Sequence, residues 1–173
     1  LYGGESGSPA QMAYYKAFRA MYPGIVAGQE SWINEVLKTK QLRVANGLIF
    51  YWPETSISRS GYVNTKRSIC NYPVQMFATA DIVPIGIVYQ WHLMQIAGMQ
   101  SFLINTIHDS SIAEVHQEEV ELFTNIGVKA YTEYTINYLK QVYDIDFNIP
   151  LTAEVTLGTH WATTAEWEDK YLK

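Results

Sequence analysis

The stretch Phe102-Leu103-Ile104-Asn105-Thr106-Ile107-His108-Asp109-Ser110-Ser111-Ile112-Ala113-Glu114-Val115 decides the reading of this chain. Two short apolar runs, Ser101–Ile107 and Ser111–Val115, meet at His108-Asp109-Ser110. Runs of this length and composition predict strands, and the polar junction predicts a hairpin with its ionisable groups at the tip. A strand scaffold fixes the carboxylate oxygens there, and the turn leaves them open to a ligand. Asp is also a common turn former, so the surrounding sequence has to distinguish the two readings.

Downstream, 117–143 predicts one long helix, because Val120, Phe123, Ile126, Val128, Tyr131, Tyr134, Ile136 and Leu139 recur at intervals of two or three, near the helical period. Glu118, Glu119 and Glu121 lie at its start, where the positive end of the helix dipole accounts for them. After Pro150, Leu151–Leu157 alternates as a strand that Gly158-Thr159-His160-Trp161 closes.

Upstream, Asn64 predicts an N-cap for a helix starting near Thr65 and running to about Ala97, bent at Pro73 and Pro84. Arg67, Asn71 and Gln75 recur every four residues, which aligns a cation and two amides on one face. Such a face suits phosphate, sugar and the acceptors that every base pair presents in the minor groove. Asn46-Gly47, between Leu42–Ala45 and Leu48–Trp52, predicts a tight hairpin with positive φ at both turn residues. Earlier still, Ser8-Pro9-Ala10-Gln11 supplies an N-cap, a first-turn proline and a capping-box Gln for a helix over Pro9–Met21. Tyr22-Pro23-Gly24 ends it, and a second helix is expected from Gln29 to Lys40 with Trp32, Ile33, Val36 and Leu37 as its apolar stripe.

Composition bounds the function. Hydrophobic residues make up 48% of the 173 and aromatics 14%, which excludes disorder and suits one domain. The net charge of −5 has the wrong sign for gripping a phosphate backbone by bulk electrostatics, so any nucleic-acid contact has to be local. Cys70 is the only cysteine, which excludes an intramolecular disulfide. No uninterrupted apolar run of membrane-spanning length occurs, and the expected location is cytoplasmic, the host cytoplasm for a phage protein. His92, His116 and His160 show no metal-ligand spacing and read as structural.

Arg67-Ser-Ile-Cys-Asn71-Tyr-Pro73-Val-Gln75 is similar to the Arg-x-x-x-Asn-x-Pro-x-Gln segment of family A (polymerase I-like) DNA polymerases, and Ala80-Asp81 follows as in that family. Phe102 to Ser110 resembles the family's motif C, an apolar strand running into His-Asp-Glu at a hairpin turn. Leu1-Tyr2-Gly3 looks like the end of motif B, and Glu154-Val155 through Trp161 resembles the closing strand of the palm. Tyr22-Pro23-Gly24 and the Asn46-Gly47 hairpin fall in the family's order. The segments Asn71-Tyr-Pro-Val-Gln75 and Phe77-Ala-Thr-Ala-Asp81 look more like phage members than like bacterial polymerase I.

The resemblance implies an α+β fold. It would be the C-terminal half of a polymerase palm, an antiparallel sheet with the motif C hairpin packed on long helices, plus the tail of the fingers. Residues 1–40 would form the fingers tail and packing helices of this single partial domain, and residues 41–173 the palm. The implied activity is template-directed nucleotidyl transfer to primer-template DNA from a dNTP, with two Mg²⁺ ions. Asp109 would be a metal ligand, His108 would sit near the primer terminus and Arg67 on the DNA backbone. Asn71 and Gln75 would lie in the minor groove, with Tyr2 against the templating base and Gly3 also binding DNA. Ser110 departs from the usual Glu and removes an auxiliary carboxylate.

The family's other essential carboxylate, in motif A, and its triphosphate-binding Lys and Arg lie upstream of motif B. The chain, beginning at Leu1 within a motif, is therefore expected to need an N-terminal part of the polymerase and to be inactive alone. Glu114, on the outgoing strand, is a weaker candidate for a supporting acid. Two other readings compete. A Ser-His-Asp hydrolase is disfavoured, since contiguous residues of a strand point to opposite faces. A non-catalytic DNA-binding or assembly subunit is favoured by Ser110.

Overall fold

The computed structural model describes residues 8–160 and 165–166. The expected closing Trp161 and the Leu1-Tyr2-Gly3 segment lie outside the described residues. In chain order the elements are α1 (Pro9–Met21), α2 (Pro23–Thr39), β1 (Gln41–Arg43), β2 (Ile49–Tyr51), α3 (Lys66–Met76), a π-helical segment (Phe77–Ile82) and α4 (Val83–Ile96). There follow β3 (Phe102–Ile107), β4 (Ser110–Glu114), a 3₁₀ turn (Gln117–Glu119), α5 (Val120–Lys129), a second π segment (Ala130–Tyr134), α6 (Thr135–Tyr143), β5 (Thr156–Leu157) and β6 (Ala165–Glu166). The chain divides into two compact units, one up to Val74 and one from Gln75 onward.

In the first unit, α1 begins with the expected capping box: Ser8 N donates to Gln11 Oε1 at 2.8 Å and Gln11 N to Ser8 Oγ at 3.4 Å. The second helix starts at Pro23, six residues before the expected Gln29. Proline is tolerated at a first helical position because that N–H has no intrahelical partner, so Tyr22-Pro23 ends one helix and begins the next. Lys40, at φ 61°, caps α2 in the left-handed region.

The first hairpin is wider than expected. Val44 N donates to Leu48 O and Gly47 N to Val44 O, both at 2.9 Å, which leaves a three-residue loop, Ala45-Asn46-Gly47. Only Gly47 takes a positive φ, 88°, the geometry of a turn followed by a left-handed glycine. Asn64, the expected N-cap, has its side chain turned to the preceding loop. Its Oδ1 accepts from Ser56 N and its Nδ2 donates to Glu54 O, so it ties the preceding loop together. Ile33 and Val36 of α2, Leu42 of β1, Trp52, Val63 and Ile69 of α3 form the core of this unit. Full burial of each such side chain contributes roughly 1.5–3 kcal/mol.

In the second unit α4 presents Val83, Gly86, Gln90 and Met94 as its buried stripe. It packs against α5 and the π segment after it through reciprocal glycines. A methyl group at Gly86 would lie 2.5 Å from Tyr131 Cδ1, and one at Gly127 would lie 3.1 Å from Gln90 Nε2. Each helix therefore makes room for a bulky side chain of the other. The expected single helix over 117–143 is a 3₁₀ turn, α5, a π segment and α6. Threonines mark the π segments: Thr79 Oγ1 donates to Gln75 O, Thr132 Oγ1 to Val128 O and Thr135 Oγ1 to Ala130 O, each within 2.6–2.7 Å. Hydroxyls that bond the preceding turn's carbonyls loosen the regular ladder.

The helix expected to bend at its prolines continues across Pro73 and is interrupted by the π segment ahead of Pro84. The expected strand over 151–157 is shorter: only Thr156–Leu157 pairs, with Ala165–Glu166. Among the described residues the three sheets are each two-stranded and antiparallel.

Candidate active site on the β3–β4 hairpin

β3 and β4 pair Phe102 with Glu114, Leu103 with Ala113, Asn105 with Ile112, Thr106 with Ser111 and Ile107 with Ser110. Ile104 is the extra residue of a bulge. Cross-strand partners share a face, so Leu103, Thr106, Ser111 and Ala113 line one side and Phe102, Asn105, Ile107, Ser110, Ile112 and Glu114 the other. The loop contains two residues, His108 and Asp109; the junction expected at His108-Asp109-Ser110 is one residue shorter because Ser110 opens β4. His108 has φ 53°. The tightest hairpin turns demand positive φ at the first loop position, and His tolerates it better than most residues.

His108 and Asp109 are both exposed at the tip. Ser110 Oγ donates to Ile107 O at 2.8 Å and closes the turn. A carboxylate at position 110 could not donate that bond at neutral pH, so the Ser110 hydroxyl has a structural use. Glu114 is exposed on the face opposite Ser111 and pairs with Phe102 at the far end of the ribbon from the turn.

The base of the ribbon is held by a residue that sequence reasoning assigned to the helix dipole. Glu119 accepts from Gln100 N at 2.9 Å through Oε1, from Ser101 N at 2.8 Å and from Ser101 Oγ at 2.6 Å through Oε2. His116 N donates to Ser101 Oγ at 2.9 Å, completing the clip. The Gln100 amide, then the Ser101 hydroxyl and amide, hold the Glu119 carboxyl below the usual glutamate range.

The inner face of the ribbon carries another unexpected group. Ser111 Oγ donates to Gln90 Oε1 at 2.9 Å, and Gln90 is only 2% exposed. Burial pushes the Tyr131 phenol upward, partly opposed by Ser111. The sequence did contain a signal for Gln90, an amide at a core position of a helical stripe. Asp81, the landmark after Gln75, is buried in the first π segment. Burial first, then the Asp81 charge, raises the Tyr143 phenol.

Arg67, Asn71 and Gln75 all lie on α3 and are all exposed, while Ile69 and Pro73 of the same helix are buried. Arg67 and Asn71 belong to the first unit, and Gln75 is the first residue of the second.

A single exposed carboxylate is a suitable donor for Mg²⁺, which binds one or two carboxylates and completes its shell with water and phosphate oxygens. Among the described residues no three His, Cys, Asp or Glu side chains gather into a metal site. Asp109 thus fits as part of a donor set.

A comparison with curated proteins finds no match. Among solved structures the chain is similar to the "POL domain of Pol1 from M. smegmatis complex with DNA primer-template and dNTP". The TM-score is 0.60 at 21% identity, over 72% of this chain and 22% of that one. The chain therefore spans about a fifth of that protein's length, and its helices with small antiparallel sheets match a polymerase palm-like fold. The profile of the family described as "DNA polymerase family A" matches residues 7–163, and the chain belongs to DNA polymerase family A.

Proposed function

We propose that this chain is the C-terminal part of a phage-type, DNA-directed DNA polymerase, completed by an N-terminal part that carries the motif A carboxylate and the nucleotide-binding helix. Residues 1–40 would belong to the fingers tail and packing helices, and residues 41–173 to the palm. The observation that carries the reading is Asp109, exposed at the two-residue tip of an apolar hairpin in a chain of this family. The working location is the host cytoplasm.

Asp109 would hold divalent metal jointly with the carboxylate of the N-terminal part. Bound Mg²⁺ supplies a lowered pKa for the primer 3′-hydroxyl and charge neutralisation at the phosphates. The chain's own residues would bind and orient. Arg67 would engage a DNA phosphate, Asn71 and Gln75 would test minor-groove acceptors common to all base pairs, and His108 would lie against the primer terminus. Tyr2 would face the templating base, and Gly3 would contact the DNA beside it. Ser110 favours a second reading, a non-catalytic DNA-binding or assembly subunit, since its hydroxyl closes the turn where the family usually has an acid.

Primer extension separates the two. The chain combined with its N-terminal part should extend a primer with Mg²⁺ and not with EDTA, and Asp109→Asn should lower the rate by more than about 100-fold, the loss of several kcal/mol. Extension unaffected by Asp109→Asn would sink the catalytic reading. DNA binding without any extension would favour the subunit.

A further inference from the structure

The bulge at Ile104 divides the β3–β4 ribbon into a base and a tip. A bulge bends its strand and interrupts the ladder, so whatever orients the base does not by itself orient the tip. Glu119 holds the base through Gln100 and Ser101. The tip is held by a different group, Gln90, bonded to Ser111 beyond the bulge and one register step from the Ile107–Ser110 pair that closes the turn.

We propose that Gln90 is a positioning residue: its buried amide, bonded to Ser111, fixes the face and depth of the ribbon tip and so sets where Asp109 presents its carboxylate. This rests on the polymerase reading above. Three observations argue that the amide is more than a tolerated core residue. Its companions on the buried stripe of α4 are Val83, Gly86 and Met94, where an apolar side chain would avoid the cost of burying an amide. Gly127 on the facing helix leaves the space its Nε2 occupies, since a methyl there would approach to 3.1 Å. Its acceptor meets the hydroxyl of Ser111, two residues from Asp109, and a strand that slipped by one residue would turn that hydroxyl away. A metal ligand has to be held to within about 0.5 Å, and a short two-stranded tip lacks neighbouring strands among the described residues to do so.

The test uses Ser111→Ala, which removes the hydroxyl with little change of shape, together with Gln90→Met and the double variant. In the chain itself, amide hydrogen exchange over 107–110 should accelerate roughly fivefold to tenfold in either single variant, the effect of one buried hydrogen bond. Exchange at Gln100 and Ser101 should stay unchanged. In the polymerase completed by its N-terminal part, Ser111→Ala should raise the Mg²⁺ concentration for half-maximal extension by a similar factor and leave primer-template affinity as it was. The double variant should lose no more than the worse single one, because both remove one interaction. Unchanged exchange at the tip in both single variants would overturn the tether. An unchanged Mg²⁺ dependence in an active polymerase would overturn the positioning role alone, whereas a completed wild-type polymerase that fails to extend would overturn the polymerase reading on which that role rests.

Discussion

Thr124 shows how closely the second unit is packed. It is 3% exposed on α5, and its Oγ1 has no hydrogen-bond partner among the described residues. An enclosed, unmatched hydroxyl costs free energy that an isosteric apolar group avoids. Thr124→Val should therefore leave the fold intact and stabilise the chain by up to about 1 kcal/mol, read as a higher thermal midpoint. A destabilised Val variant would mean that the hydroxyl is satisfied in solution. Ser110 and Thr124 contrast instructively: the exposed hydroxyl at the turn has a partner across the loop, and the buried one on α5 does not. Residue type alone did not distinguish them. Asp109, by contrast, was legible from its neighbours, because strand-forming residues on both sides leave a short polar junction no place but the tip.

At the scale of elements, periodicity located the helices and left their interruptions invisible. The apolar repeat across 117–143 is continuous, but the π segment at Ala130–Tyr134 shifts the face by one residue, a displacement smaller than the spread of the pattern. Likewise the alternation over Leu151–Leu157 specifies a face and not a partner, and only Thr156–Leu157 finds one. Glu119 is illegible for a related reason: the dipole already accounts for an acid at a helix start, and nothing in the sequence marks its three donors at the base of the hairpin. Its depressed carboxyl fixes a sign. A group whose folded pKa lies below its unfolded value contributes stability that is present above the unfolded value and lost as pH falls through the folded one. Glu119→Gln should thus unfold at a lower temperature than the parent at neutral pH, and the difference should shrink as pH drops below the ordinary glutamate range. A gap independent of pH would show that packing, not charge, is what Glu119 provides. The helix pair makes a sharper claim. Gly86→Ala would drive a methyl to 2.5 Å from the Tyr131 ring, which cannot swing away as a flexible chain end would. The expected cost is about 1–3 kcal/mol, measured by denaturant unfolding, and an unchanged midpoint would mean that α4 and the facing segment slide freely.

For the molecule as a whole, the decisive feature is what the ribbon leaves open. Its inner face meets α4 through Gln90, while Phe102 is 54% and Ile107 39% exposed on the outer face, and the bulged Ile104 is 52% exposed. Among the described residues each sheet has only two strands, so both edges of the ribbon carry unpaired backbone groups beside apolar side chains. Exposed apolar edges pair with other chains unless charge, a bulge or a covering segment prevents it, and the bulge at Ile104 interrupts only the β3 edge. The net charge of −5 opposes association only weakly, because it is not concentrated here: between Phe102 and Ile112 the sole ionisable carboxylate is Asp109. The isolated chain should therefore self-associate in sedimentation at micromolar concentration. Phe102→Lys with Ile104→Glu should return it to a monomer without loss of helix content. Adding the proposed N-terminal part should also suppress self-association of the parent chain if it covers a ribbon edge. A parent chain that sediments as a monomer at every concentration would show that the ribbon needs no cover, and would remove the structural reason for expecting a second part.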